Sequence, residues 1–242
     1  MKLPSQPNRH RALTRIEVVV IVAVLVFFAW LLRLKFIEAR TKANRISCVS
    51  KNKHIGLAFR IWCNNNDDKY PYQSPSNHNY RAAPSIPNLA YRNETDAWLY
   101  FLVMSNELGS SKLLLCYSDR ERLRNFPVDF SSNSTPGKLG LQFTRNSGVS
   151  YFIALEADES KPMALLLGDR HLETNAWNVQ GSLLTFTSNQ PPSWTAALHG
   201  YAGNITLSDG SVTQLKNTAW KEAAHQALRR QSVETNRLLM PW

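Results

Sequence analysis

Fifteen consecutive apolar residues, Val18 to Leu32 (VVVIVAVLVFFAWLL), constrain this chain more than any other feature. Taken from Leu13, through Ile16, to Leu32, the segment is 20 residues, about 30 Å as a helix, which matches the hydrocarbon thickness of a bilayer. Lys2, Arg9 and Arg11 precede it and Arg33 and Lys35 follow, so cations mark both ends at headgroup depth. A cleaved signal peptide would have an apolar core of about 7–15 residues followed by small residues. Trp30, Leu31, Leu32 and Arg33 occupy that place instead. The segment therefore reads as one transmembrane helix, residues 13–32.

The formal charge of +10 suggests nucleic acid until its distribution is considered. Twelve of the 28 Lys and Arg residues lie in the first 60 positions, against only Glu17 and Glu38; the remaining 182 residues are balanced at 16 of each sign. A basic excess confined to one end argues against a phosphate-binding face, and no nucleic-acid partner is expected. The 43% hydrophobic and 19% charged composition is that of a folded protein, with length for one or two domains.

Arg15 and Glu17 interrupt the start of the span, and charges at membrane depth are functional candidates. The string ALTRIEVVVIVAVL resembles the N-terminus of type IV prepilins and type II secretion pseudopilins: a basic leader, a small residue, then Phe-Thr-Leu-Ile-Glu and an apolar helix. The resemblance makes residues 1–12 a leader peptide. It implies cleavage by a prepilin peptidase between Ala12 and Leu13, N-methylation of Leu13, and a carboxylate, Glu17, that pairs with the amine of a neighbouring subunit. Ala12 stands where the family usually has Gly, Leu13 for Phe and Arg15 for Leu. A carboxylate in hydrocarbon favours the packing register that supplies a cation; Arg15 in the same chain is the competing partner. Lys and Arg after the span outnumber those of the leader, so charge counting alone would keep the body inside the cell. The resemblance implies the opposite and is followed: a single-pass protein of the inner (cytoplasmic) membrane, its body in the periplasm or outside.

Helical composition continues without Pro to Tyr70-Pro71, giving an N-terminal helix over residues 13–66 with Ile55, Ala58, Phe59 and Trp62 on one face. Asn64 to Asp68 (NNNDD) reads as a helix-terminating loop rather than a Ca²⁺ site, since it lacks the EF-hand spacing. Residues 67–92, with Pro71, Pro75, Pro84 and Pro87, form a linking loop. Residues 93–231 form the globular body: a helix near Glu94–Asn106 and strands at 112–116, 149–155, 163–167, 182–187, 195–199, 205–207 and 212–215. Ser208-Asp209-Gly210 signals a hairpin, and Asn217 starts a helix to Arg230. Residues 232–242 remain as a C-terminal tail. The class is α+β: a long N-terminal helix, its first half in the membrane, followed by a small antiparallel β-sheet body with short helices. The resemblance makes that arrangement pilin-like.

The body extends the resemblance. Many pseudopilin-like proteins carry Cys-Asn-Asn-Leu-Lys-Gln-Ile-Gly, Cys-Pro-Ser-Asp, a Gly-Asp-Arg strand end, and a His, nine residues and Asp-Gly. Their counterparts are Cys48 with KNKHIGLAFR, Cys116-Tyr117-Ser118-Asp119, Gly168-Asp169-Arg170, and His199 with Asp209-Gly210. Tyr117 replaces Pro. The motif's role is unknown. His199 and Asp209, with Asp169 and His171, also suit metal ligands or a hydrolase's base and orienter. The alternative has Asp209-Gly210 making the turn, His199 bonding within the sheet and Arg170 in a structural ion pair. No nucleophile motif, paired-His helix or CxxC accompanies them, so no catalytic set, metal or cofactor is assigned, and the chain is not expected to be an enzyme.

Three cysteines cannot all pair within one chain. Cys48 and Cys63 are about 22 Å apart on one helix, beyond disulfide reach, which leaves Cys116 open to either, or all three reduced. The resemblance favours Cys48 with Cys116. The leading function is a pseudopilin-like subunit of a type II secretion or type IV pilus-type apparatus, with the membrane, other pseudopilin subunits and prepilin peptidase as partners. A membrane-anchored periplasmic module that binds a ligand or surface without assembling is the alternative, ahead of an anchored hydrolase.

Overall fold

The computed structural model describes residues 14–73, 96–136, 138–173, 179–180, 182–187, 190–231 and 235–242. The leader, Ala12, Leu13 and most of the linking loop lie outside these. The chain divides into two compact units, residues 1–43 and 44–242, and helix α1 (Arg15–Asn64) contributes to both.

In the first unit Arg15–Arg33 is long and apolar enough to cross a membrane, with none of it buried. Its start is fixed locally. Thr14 accepts the Glu17 N–H on Oγ1 (3.3 Å), while the Glu17 carboxylate accepts the Thr14 N–H (2.7 Å) and hydroxyl (3.0 Å). This is a capping box, which satisfies two of the backbone donors a helix N-terminus leaves over.

The second unit is built on a seven-stranded sheet. Its strands, with those of two smaller sheets, are β1 (Pro127–Asp129), β2 (Ser134–Thr135), β3 (Lys138–Gly140), β4 (Tyr151–Ala154), β5 (Leu165–Asp169), β6 (Leu172–Glu173), β7 (Val179–Gln180), β8 (Leu183–Thr187), β9 (Ser193–Trp194), β10 (Ala202–Leu207), β11 (Val212–Lys216) and β12 (Thr235–Leu239). The order β11-β10-β5-β4-β12-β8-β7 is antiparallel at every step. Strands β1, β3 and β2 make one minor sheet and β6 and β9 another.

Alternation along the central strands divides the core in two. Tyr151, Ile153, Leu167 and Leu239 face a layer made by α1 and by α2 (Ala97–Val103) and α3 (Ser105–Leu108). Phe152, Ala154, Leu165 and Leu238 face Trp194 and the Trp220 and Ala224 side of α5 (Asn217–Gln231). Between the minor sheet and β4, α4 (Leu141–Thr144) buries Leu141. From Cys48 onward α1 buries Cys48, Ile55, Ala58, Phe59, Trp62 and Cys63, the helical stripe expected from their spacing.

Four sequence expectations are corrected. Lys112–Cys116 is not a strand: Ser111–Leu114 is a 3-10 turn, its Lys112 N–H donating to the Ser110 hydroxyl. The 195–199 segment is a turn that follows the short β9. The linking loop does not begin at 67. Asp67 and Asp68 adopt positive φ and end the helix, but Tyr70 is fully buried against Phe59 with its hydroxyl on Glu159 (2.8 Å). Nor are residues 235–242, expected as part of a tail over 232–242, an appendage, because β12 lies between β4 and β8. Its alternation places Asn236 and Leu238 inward and exposes Thr235 and Arg237. A chain ending at Gln231 should therefore lose its cooperative thermal transition and become protease-sensitive throughout the body, rather than losing an exposed appendage.

Candidate functional site

The four motifs, spread from Cys48 to Gly210, converge where α1 crosses the sheet. Cys48 on α1 is bonded to Cys116, which follows the 3-10 turn, with Cα atoms 5.6 Å apart. The separation of 68 residues makes such a link worth about 4 kcal/mol in the loop-entropy model. Cys63 is free and buried, its thiol pushed up to about 12 by burial and by the nearby Glu159, Asp68 and Asp158 carboxylates. Lys51, one turn beyond Cys48, reinforces the tie. Its ammonium donates to the Leu115 (2.6 Å) and Lys112 (3.1 Å) carbonyls and lies 3.6 Å above the Tyr117 ring. Burial pushes it down to about 8.

His199 sits against the disulfide, Nε2 3.6 Å from Cys116 Sγ and 3.5 Å from Asp169 Oδ2. Both side chains are almost wholly buried. Burial pushes Asp169 up to about 7, against the lowering effect of the Asn204 amides that donate to Oδ2 at 2.7 and 3.0 Å. Burial and the Arg45 guanidinium, which donates to the His199 carbonyl, push the imidazole down to about 4. The imidazole is therefore uncharged at pH 7. Asn52 of α1 faces the same carboxylate without reaching hydrogen-bond geometry; its amide, Asp169 Oδ1 and His199 Nδ1 are buried with no hydrogen-bond partner among the described residues.

The other half of Gly-Asp-Arg faces a second cluster. Arg170 makes a bidentate pair with Asp119 (2.8 and 3.0 Å) and also bonds Glu121, while Ser150 donates to Asp119 at 2.8 Å. His171 Nε2 lies 3.6 Å from Asp119 and 3.7 Å from Glu121. Burial opposes ionisation of Asp119, but bonds from His171, Arg170 and Ser150 together with the Arg170 charge outweigh it and hold the carboxyl well below the usual range. Beside it Arg122 bonds the carbonyls of Asn146, Val149 and Pro241, tying the C-terminus to this corner.

Gly168 is required by close approach: a Cβ there would stand 2.7 Å from the Phe152 ring and 2.8 Å from the Asn204 carbonyl. Asp209-Gly210 makes the β10–β11 turn as expected, with Gly210 at φ 82° and the Asp209 carboxylate accepting the Ser211 N–H at 2.8 Å. Arg60 of α1 donates to the Asp209 carbonyl (3.2 Å), and Gly56 faces Thr206 and Gly210. The residues considered for a hydrolase are thus sorted apart: His199 meets Asp169, His171 meets Asp119, and Asp209 shapes a turn. Sequence reading missed Ser150, Asn204, Asn52, Lys51 and Glu121. Ser150, just before β4, and Asn204, on β10, each have a motif partner remote in sequence, and Asn52 and Lys51 fall inside a quoted motif with nothing local to mark their burial.

Compared with known proteins, the chain matches no family model, no curated protein and no solved structure.

Two outcomes follow from this geometry. Cys116→Ser should lower stability by about 2–5 kcal/mol in denaturant titration, and dithiol reduction should give the same loss in the unmutated chain. Because Asp119 titrates lower folded than unfolded, its stabilising contribution is complete above the unfolded value of 3.8 and is lost as pH falls below it. Asp119→Asn should flatten that acid limb and, by leaving buried Arg170 with only the exposed Glu121 carboxylate, cost about 3–5 kcal/mol at pH 7.

Proposed function

We propose that the chain is a pseudopilin-like subunit of a type II secretion or type IV pilus-type apparatus, processed by a prepilin peptidase and assembled through its N-terminal helix with other pseudopilin subunits. The observation that carries this reading is the order of Ala12, Leu13, Thr14 and Glu17 directly before a bilayer-length apolar span. The α+β body behind that span, with a helix-on-sheet layer, supports it. The Cys48–Cys116 bond supports a body in the periplasm or outside, where disulfides persist, and hence anchoring in the inner membrane. In this reading the chain has no catalytic activity of its own.

Mass spectrometry of protein extracted from its native membranes should find a chain that starts at methylated Leu13. An intact Met1 would defeat processing and leave a tethered ligand- or surface-binding module.

The capping box sharpens the test of Glu17. Gln serves at that capping position as well as Glu but carries no charge. Glu17→Gln and Glu17→Ala should both weaken co-purification with partner subunits if the carboxylate pairs with a neighbour's amine. Normal co-purification of Glu17→Gln alongside failure of Glu17→Ala would reduce Glu17 to a helix cap.

A further inference from the structure

We propose that Cys48, Cys116 and His199, once the disulfide is reduced, form a Zn²⁺ site, with the Asp169 carboxylate, now 3.5 Å from His199 Nε2 and outside the cluster of three, moving in as fourth ligand. Cys48 Sγ, Cys116 Sγ and a His199 ring nitrogen already lie within 4.8 Å of one another. Zn–S bonds of about 2.3 Å and Zn–N bonds of about 2.0–2.1 Å put sulfur and nitrogen about 3.5 Å apart across a tetrahedral edge. His199 Nε2 stands 3.6 Å from Cys116 Sγ and 3.5 Å from Asp169 Oδ2, so two edges are close to that value in the oxidised protein. The sulfur–sulfur edge needs the two sulfurs to part to about 3.8 Å, which rotation about the Cys side chains provides once they are no longer bonded.

The donor set suits the ion. Two thiolates, an imidazole and a carboxylate are the ligands of zinc sites, and hard cations prefer all-oxygen sets. Asp169 Oδ1 is buried with no hydrogen-bond partner among the described residues, so the carboxylate has acceptor capacity that the disulfide form leaves unused. Arg45, which donates to the His199 carbonyl, offsets the excess negative charge of two thiolates and a carboxylate on a dication. The other cluster with metal-ligand residues, Asp119, Glu121 and His171, has its carboxylates bound by Arg170, whose charge opposes a cation.

The chemistry balances. A phosphine or dithiol reductant gives two electrons to the S–S bond, two thiols form with two protons from solvent, and Zn²⁺ binding releases those protons as thiolates form. The ligands come from α1, from the segment after the 3-10 turn, from β5 and from the turn before β10. The metal would therefore make the same helix-to-sheet tie as the disulfide, for a chain that is not yet oxidised or has been reduced. The assignment is independent of the pseudopilin reading.

The test uses the full chain in detergent, reduced with a phosphine without oxygen, and titrated with Co²⁺ as a spectroscopic probe and then with Zn²⁺. Expected are one equivalent of Co²⁺ with thiolate charge-transfer and tetrahedral d–d bands, displacement by Zn²⁺, and no bands from the oxidised chain. Cys63→Ser should leave the titration unchanged. Asp169→Asn should weaken binding about 10–100-fold, and His199→Gln at least as much. Absence of the bands from a reduced chain that keeps its far-UV circular dichroism overturns the proposal, as does equal affinity in His199→Gln. A reduced chain that loses its sheet and does not regain it with either metal overturns it too.

Discussion

The Cys48–Cys116 bond and the polar groups packed around it set how α1 lies on the sheet. An apolar helix on an apolar sheet can slide or rotate at small cost, because hydrophobic contact is non-directional. Here the contact includes Lys51, Asn52, Asp169, His199, Asn204 and Thr206, all buried. Directional bonds from Lys51 to two carbonyls, from Arg45 to His199 and from Arg60 to Asp209 are made in a single setting of the helix. The covalent link fixes the same setting. Several buried polar atoms in the seam lack partners among the described residues, a cost of about 1–3 kcal/mol each in general, so the seam favours one register at the expense of stability.

The two motif clusters divide the work across adjacent residues of one strand end. Asp169 points toward α1 and the disulfide, while Arg170, just past β5, turns to Asp119 and the C-terminal corner. Period-two alternation makes that division automatic, so Gly-Asp-Arg links two layers in three residues. Gly168 completes it by letting Phe152 and the Asn204 carbonyl close over the backbone.

Elements governed by local pattern were legible in the sequence. The α1 stripe, the apolar strands β4, β5 and β8, the Asp209-Gly210 turn and the start of α5 at Asn217 all follow from spacing and turn chemistry. Elements governed by distant partners were not. Leu113–Leu115 has strand composition, yet the chain there must bring Cys116 to Cys48, and the Ser110 hydroxyl starts a tighter turn. Thr235–Leu239 is short and follows a charged helix, and nothing local tells it from a frayed end. At the site, the residue types were visible but the pairing was not. Sequence order suggested His199 with Asp209, whereas the fold gives His199 to Asp169, reached through the β5–β10 pairing.

The placement of β12 has a consequence in time. It is made after β4 and β8 and lies between them. Until residues 235–239 emerge, each of those strands keeps an open edge that only β12 fills, so the sheet cannot close before they do. The apolar span is translated before any strand of the body. Non-local pairings of this kind form late because loop-closure entropy is lost before any contact is gained. A body whose sheet waits for residues 235–239 stays open until they have been made.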